Sequence, residues 1–364
     1  MKTTQFMFIA FVLILSFISC KKDDNEIKDP TSNILNGKVS KVLPLNAAMA
    51  AAWYVIRPED IDALEKIGFN LFFLNRSDYE TMTTTYRNQF IQNNINALNQ
   101  NSKIVLPIDN FLNINWFGSG GMEEFMNTWG GNPKIYGFLL KDDVATTPFY
   151  FSGTTNLNPD ALWIYRWYYK MIRNTAEDQR NSYNKDLALG KKIIVTLPFE
   201  NGAQNSNNVH KFYINTAYNV PTNFFTPGDS WDFVMPYWYP HKTQISIPNE
   251  EYIMDVLYGD MHLMFANYLS SVIPIIQTAA EDNIGDFLLE HDDNHGYDLS
   301  IQYNKFITNS LVTSKIIAYY SANGHSGVYD NLLHKNYVWD TTQTNNIYYR
   351  EAKNLNIYHF SLFP

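Results

Sequence analysis

From Ala50 to Ser321 the chain alternates short apolar runs with longer helical patterns, and this alternation restricts the fold more than any other feature. Parallel neighbours in a sheet cannot be joined by a tight turn. They need a crossover, usually a helix, so repeated strand–helix units build a parallel sheet. The apolar runs are AAAWYVI (50–56), FNLFFL (69–74), KIVLPID (103–109), KIYGFLLKDD (134–143), KKIIVTLPFE (191–200), WDFVMPYWYP (231–240), SVIPIIQTA (271–279) and KIIAYYS (315–321). The first helical pattern, PEDIDALEKIG, has Pro58 at its start, acids in its first turn and Gly68 at its stop. Others span Tyr86–Leu98, GGMEEFMNTWGG, 159–180, 250–269, 303–314 and about Val338–Asn354. Eight such runs alternating with helical patterns predict an α/β fold, a single (β/α)8 TIM barrel. The rival is an open doubly wound sheet, which wants a glycine-rich phosphate turn after its first strand. Tyr54–Pro58 contains no glycine, so that fold is disfavoured, and no cofactor is expected.

The barrel is expected over residues 46–364. Ahead of it, Lys2 is followed by an apolar run from Phe6 to Ile18 and then Ser19-Cys20, a signal segment over 1–19. FISC followed by KKDDNE resembles a bacterial lipoprotein signal, with Phe17, Ile18 and Ser19 filling the box before a lipidated Cys20. Lys21, Lys22, Asp23 and Asp24 resemble the charged tag of surface lipoproteins in Bacteroidetes. The resemblance implies a membrane partner through a lipid anchor, at the outer membrane and facing outward. Residues 20–45, polar and aperiodic after the cysteine, read as anchor and tether. Cys20 is the only cysteine, so the mature chain can form neither an internal disulfide nor a thiolate metal site.

The formal net charge of −9 argues against a nucleic-acid partner, which would want a basic face. The chain has 25 Tyr and 8 Trp. Their flat apolar faces and polar edges suit stacking on sugar rings.

Barrel active sites lie at the carboxyl ends of the strands. Those ends carry Tyr54/Arg57, Asn75/Arg76, Asp109/Asn110, Asp142/Asp143, Glu200/Asn201, Tyr237–Tyr239, Gln277 and Tyr319/Tyr320. Two adjacent carboxylates at a strand tip repel, and the ionised partner raises the pKa of the other. The chemistry of glycoside cleavage needs such a protonated acid together with a second carboxyl. The candidate catalytic set is therefore Asp143 as acid, Asp142 ionised beside it, Glu200 in LPFENG as second carboxyl, and Tyr237 stabilising charge. Tyr54, Asp109, Trp238, Tyr239, Gln277 and Tyr320 are the candidate substrate contacts. The bland alternatives are acids that pair with Arg57 or Arg76, an Asp109 that caps its own loop, and aromatics that only pack.

GFLLKDDV (137–144) resembles the fourth strand of many glycoside hydrolase-like barrels of Bacteroidetes, which runs from a glycine-aromatic pair to Asp-Glu-Pro. Here Asp143 replaces the glutamate and Val144 the proline. The paired acids are also similar to those of β-N-acetylglucosaminidases, and VMPYW (234–238) to the Met-x-Tyr motif of chitinase-type barrels. The resemblance implies a polysaccharide or glycan partner, with the substrate's own N-acetyl group as nucleophile and endo-action. The chitinase Asp-x-x-Asp-x-Asp-x-Glu pattern is absent, because its aspartates fall on Tyr136, Leu139 and Lys141. Gln277 stands where related barrels carry a strand-seven glutamate, so a two-glutamate retaining mechanism is not matched.

Two stretches compete for attention. Trp163, Tyr165, Trp167, Tyr168 and Tyr169 lie on a helical pattern and are expected in the outer core. LLEHDDNHGYD (288–298) offers Glu290, His291, Asp292, Asp293 and His295, yet Asn and Gly mark a loop and no zinc spacing is present, so no metal is expected. No Gly-x-Ser-x-Gly elbow occurs. Three readings stay open: a glycoside hydrolase, a non-catalytic glycan-binding barrel, and a metal-dependent hydrolase using 290–295.

Overall fold

The computed structural model describes residues 48–75, 79, 82–111, 121–142, 159–198, 227–237, 258–259, 261–262, 265–278, 280–281, 295–320, 322, 328–330, 332–335, 338–342 and 346–364. Eight strands form one all-parallel sheet: β1 Met49–Val55, β2 Leu71–Leu74, β3 Lys103–Pro107, β4 Ile135–Lys141, β5 Lys192–Pro198, β6 Phe233–Tyr237, β7 Ile275–Gln277 and β8 Ile316–Tyr320. Their spatial order is β6-β5-β4-β3-β2-β1-β8-β7. The two ends meet just before β7. Val234 bridges Val272, and the Ile273 N–H donates to the Val234 carbonyl at 2.9 Å. The sheet thereby rolls into the barrel that the eight-fold alternation predicts.

Each strand is covered on both faces, which is why the runs are almost continuously apolar. Alternate residues divide into two buried clusters. Met49, Ala51, Trp53, Phe73, Val105, Leu139, Ile194, Met235, Ile275 and Ala318 fill the barrel. Ala50, Ala52, Phe72, Ile104, Phe138, Ile193, Ile276 and Ile317 face the helices. Gly137 in β4 is required by close packing: a Cβ there would lie 2.3 Å from the Lys192 carbonyl oxygen of β5.

The described helices are α1 Pro58–Glu65, α2 Thr84–Ala97, α3 Met122–Trp129, α4 Pro159–Arg173, α5 His295–Thr308 and α6 Ile347–Leu362. In α1, the buried Asp60 accepts from the backbone N–H groups of Ile56 and Arg57 at 3.0 and 3.1 Å and so fixes the turn out of β1. Tyr165 and Tyr169 of α4 are buried against the barrel, with Trp167 and Tyr168 packed beside them, as expected of that stripe; the Trp163 side chain lies outside the described residues.

Several helix boundaries differ from the sequence reading; α5 closes at Thr308 rather than 314, and α6 runs on to Leu362 rather than about Asn354. α4 stops at Arg173 rather than near 180. Asn174 there takes φ +57°, and the Thr175 N–H closes back on the Lys170 carbonyl at 2.7 Å. α5 opens at His295, inside the stretch read as loop, because Leu299, Tyr303 and Phe306 bury a continuous stripe. α6 begins at Ile347 instead of Val338. Val338–Trp339 pairs antiparallel with His334–Lys335, and Asn346 caps the helix by accepting from the Tyr349 N–H at 3.2 Å.

Candidate active site

The site begins with an irregularity in β4. Leu139 pairs with Ile194, but Lys141 pairs with Val195, so Leu140 is an extra residue against β5. A one-residue slip moves later side chains to the opposite face of the sheet. Ile194 belongs to the barrel interior and Val195 to the outer layer, so Thr196 returns to the inside, where it is 1% exposed. Its hydroxyl donates to Asp142 Oδ1 at 2.9 Å. The slip thus delivers Asp142 to the inner rim between β4 and β5. Lys141 reaches the other way, with Nζ 3.9 Å from Asp109 Oδ2 at the end of β3. The Asp109–Lys141 pair draws β3 and β4 together at the mouth, and Asp109 also opens a short 3-10 turn through Phe111.

A second irregularity lies in β1, whose register against β2 shifts between Ala52 and Val55. Tyr54 sits in that shift with φ +58°. The left-handed region is disfavoured for a bulky side chain and costs about 1–3 kcal/mol. The consequence is positional. The Tyr54 ring packs on the barrel interior and meets Tyr320 edge-to-face at 5.4 Å. Trp53 beneath it stacks on Phe73 at 4.4 Å. Burial, then the negative charge of Asp142, hold the Tyr54 hydroxyl well above the usual tyrosine range, with a smaller push from Asp109. Tyr54 is therefore a protonated phenol within electrostatic reach of both acids.

Tyr54, Asp109, Asp142 and Tyr320 are brought together at the carboxyl end of the barrel. Gln277 ends β7 only 2% exposed, with its backbone N–H donating to Gln302 Oε1 of α5 at 3.0 Å. Tyr320 is 7% exposed, and its carbonyl accepts from the Thr278 N–H. The backbone of Tyr237 pairs with Pro198 at the ends of β6 and β5. The Tyr237 side chain, Asp143, Glu200, Trp238, Tyr239, Arg76, Cys20 and Glu290–Asp293 lie outside the described residues, and of His295 only the backbone is described. Among the described strand-tip acids, neither Asp109 nor Asp142 pairs with Arg57. Arg57 binds Asp60 at 3.0 Å and lies 4.7 Å over the Trp339 ring. Among the described residues no cluster of three His, Cys, Asp or Glu is arranged to hold a metal.

Sequence reasoning missed Thr196 and Lys141. A lone hydroxyl in IIVTLP and a lone cation in FLLKDD were the available signals.

No protein-family model and no curated protein matches the chain. Solved structures do. A family 5 xyloglucanase from Paenibacillus pabuli, at 10% identity, aligns over 86% of this chain and 98% of its own with a TM-score of 0.50. The exo-beta-1,4-mannosidase Op5Man5 from Opitutaceae bacterium strain TAV5, at 11% identity, aligns over 86% of this chain and 60% of its own, also with a TM-score of 0.50. At such identities the likeness establishes the architecture alone: the chain is a (β/α)8 barrel, the fold it shares with these two proteins.

Proposed function

We propose that this chain hydrolyses glycosidic bonds in a polysaccharide or glycan by carboxylate acid–base catalysis. The observation that carries the reading is Asp142, slipped onto the inner rim by the β4 irregularity and held there by Thr196. A carboxylate that accepts a hydrogen bond at a strand tip is poised to stay ionised. Its neighbour Asp143 then carries the raised pKa and gives its proton to the leaving oxygen. Glu200, one strand on, acts as the second carboxyl. The buried phenol of Tyr54 and the Asp109–Lys141 pair complete a polar, aromatic-lined mouth suited to a sugar ring. The xyloglucanase and mannosidase that share the architecture support the substrate class by analogy.

The experiment is an assay for new reducing ends on xyloglucan, β-1,4-mannan, a β-glucan and a chitin oligosaccharide. Release from at least one of them is expected. Release from none, by folded protein, contradicts the proposal. Substrate assistance by an N-acetyl group rests on the paired acids and VMPYW alone, and it requires that the chitin oligosaccharide be among those cleaved. Anchoring rests on Cys20. The Cys20→Ala chain should leave the membrane fraction, and retention there would refute the anchor.

A further inference from the structure

On the outer wall of the barrel, α1 and α2 border an open groove of about 490 Å3. That volume lies inside the range of small-molecule sites, about 300–1,000 Å3. The groove starts at Arg57, directly after β1, at the end of the barrel where Asp142 sits. Neither of the described strand-tip acids, Asp109 and Asp142, lines it.

The lining has a consistent chemistry. Tyr86 stands at the lip with 72% of its surface exposed, which leaves its ring open to a ligand. Gln89 and Asn93, one helical turn apart on α2, bond to each other through Gln89 Nε2 and Asn93 Oδ1 at 2.7 Å. That bond leaves the Gln89 carbonyl as an acceptor and the Asn93 amide as a donor, side by side. Deeper in, Asn94 is fully buried. Its Nδ2 donates to the Phe90 carbonyl at 2.9 Å, while its Oδ1 has no hydrogen-bond partner among the described residues. Among the described residues that line the groove Arg57 is the only charged one, and Asp60 pairs with it. The guanidinium also rests on Trp339, a second ring open to solvent.

An exposed aromatic face, paired amide donor and acceptor, and a cancelled charge match a neutral polyhydroxylated ring. Sugar hydroxyls both donate and accept, and the ring's C–H face stacks on tyrosine. An anionic ligand would want uncompensated cations, and a hydrophobic peptide would leave the amides unpaired. We propose that this groove is a second glycan-binding site, which holds a stretch of neutral polysaccharide outside the cleft. The inference rests on the proposed hydrolase only for the class of ligand.

The test is retardation of the folded chain in native gels cast with xyloglucan, galactomannan or hydroxyethylcellulose, with polygalacturonate as an anionic comparison. Wild type should be retarded by at least one neutral polymer. Tyr86→Ala should weaken that retention roughly tenfold. Tyr86→Phe, which keeps the stacking face, should preserve it. So should Tyr183→Ala, which removes an exposed ring elsewhere. Melting temperatures control for folding. Retention indifferent to Tyr86, no retention by any neutral polymer, or retention by polygalacturonate alone overturns the site. Tyr86-dependent retention by a chain that releases no reducing ends keeps this site and sinks the hydrolase. Cleavage with Tyr86-independent retention does the reverse.

Discussion

Tyr54 and Asp142 reach the barrel mouth by the same device, a local break in strand register. In each case regular pairing is given up over one step, and a side chain is re-aimed at the place where barrels do chemistry. Neither break leaves a mark in residue type. Tyr54 is not a glycine, and LLK is an ordinary apolar run, so the acids could be read as strand-tip residues but not their delivery to the inner rim. His359 shows the opposite demand, a titratable group excluded from water. Fully buried in α6, it accepts from the Tyr303 hydroxyl through Nδ1 at 2.9 Å and donates from Nε2 to the Lys315 carbonyl at 3.2 Å. Burial pushes its pKa down to about 4. An unfolded histidine titrates near 6.5, so the unfolded chain takes up this proton first as pH falls. The neutral side chain's contribution, of order 3 kcal/mol, is whole above about pH 6.5 and is lost progressively toward pH 4. Urea midpoints of wild type and His359→Gln should converge as pH drops through that window. Parallel curves would show that His359 does not titrate as described.

At the level of elements, all eight strands are legible because a strand covered on both faces must be apolar along its length. Helix ends are less so. α5 begins in a polar, glycine-containing stretch and is held by what Leu299, Tyr303 and Phe306 bury, a tertiary effect invisible to composition. The start of α6 had a local signal in the capping Asn346, but Val338 and Trp339 looked like helical apolar positions when they belong to a two-stranded ribbon. The glycine of the GFLL stretch also acquires a reason. It stands where the Lys192 carbonyl of β5 comes too close for a Cβ. Gly137→Ala should therefore destabilise the fold by about 2–3 kcal/mol, as overpacking does. Gly131→Ala meets only Leu189 Cδ1 at 3.8 Å and should change little. Equal urea midpoints for the two variants would remove the packing account of that glycine.

For the molecule as a whole, closure through Val234, Val272 and Ile273 gathers the carboxyl ends of eight strands into one rim. On that rim stand a carboxyl group held by a threonine, a salt-bridged second acid and a neutral buried phenol. The proposed reaction adds Asp143 as the proton donor, and its substitution is the most direct measurement. Asp143→Asn keeps size and shape but cannot give a proton to the leaving oxygen. General-acid help is worth about two to four orders of magnitude. Turnover of a natural glycan should fall by roughly that factor, whereas an aryl glycoside with a very good leaving group should lose far less, at an unchanged melting temperature. Equal losses on both substrates, or no loss on either, would contradict the assignment of the acid pair as the catalytic centre.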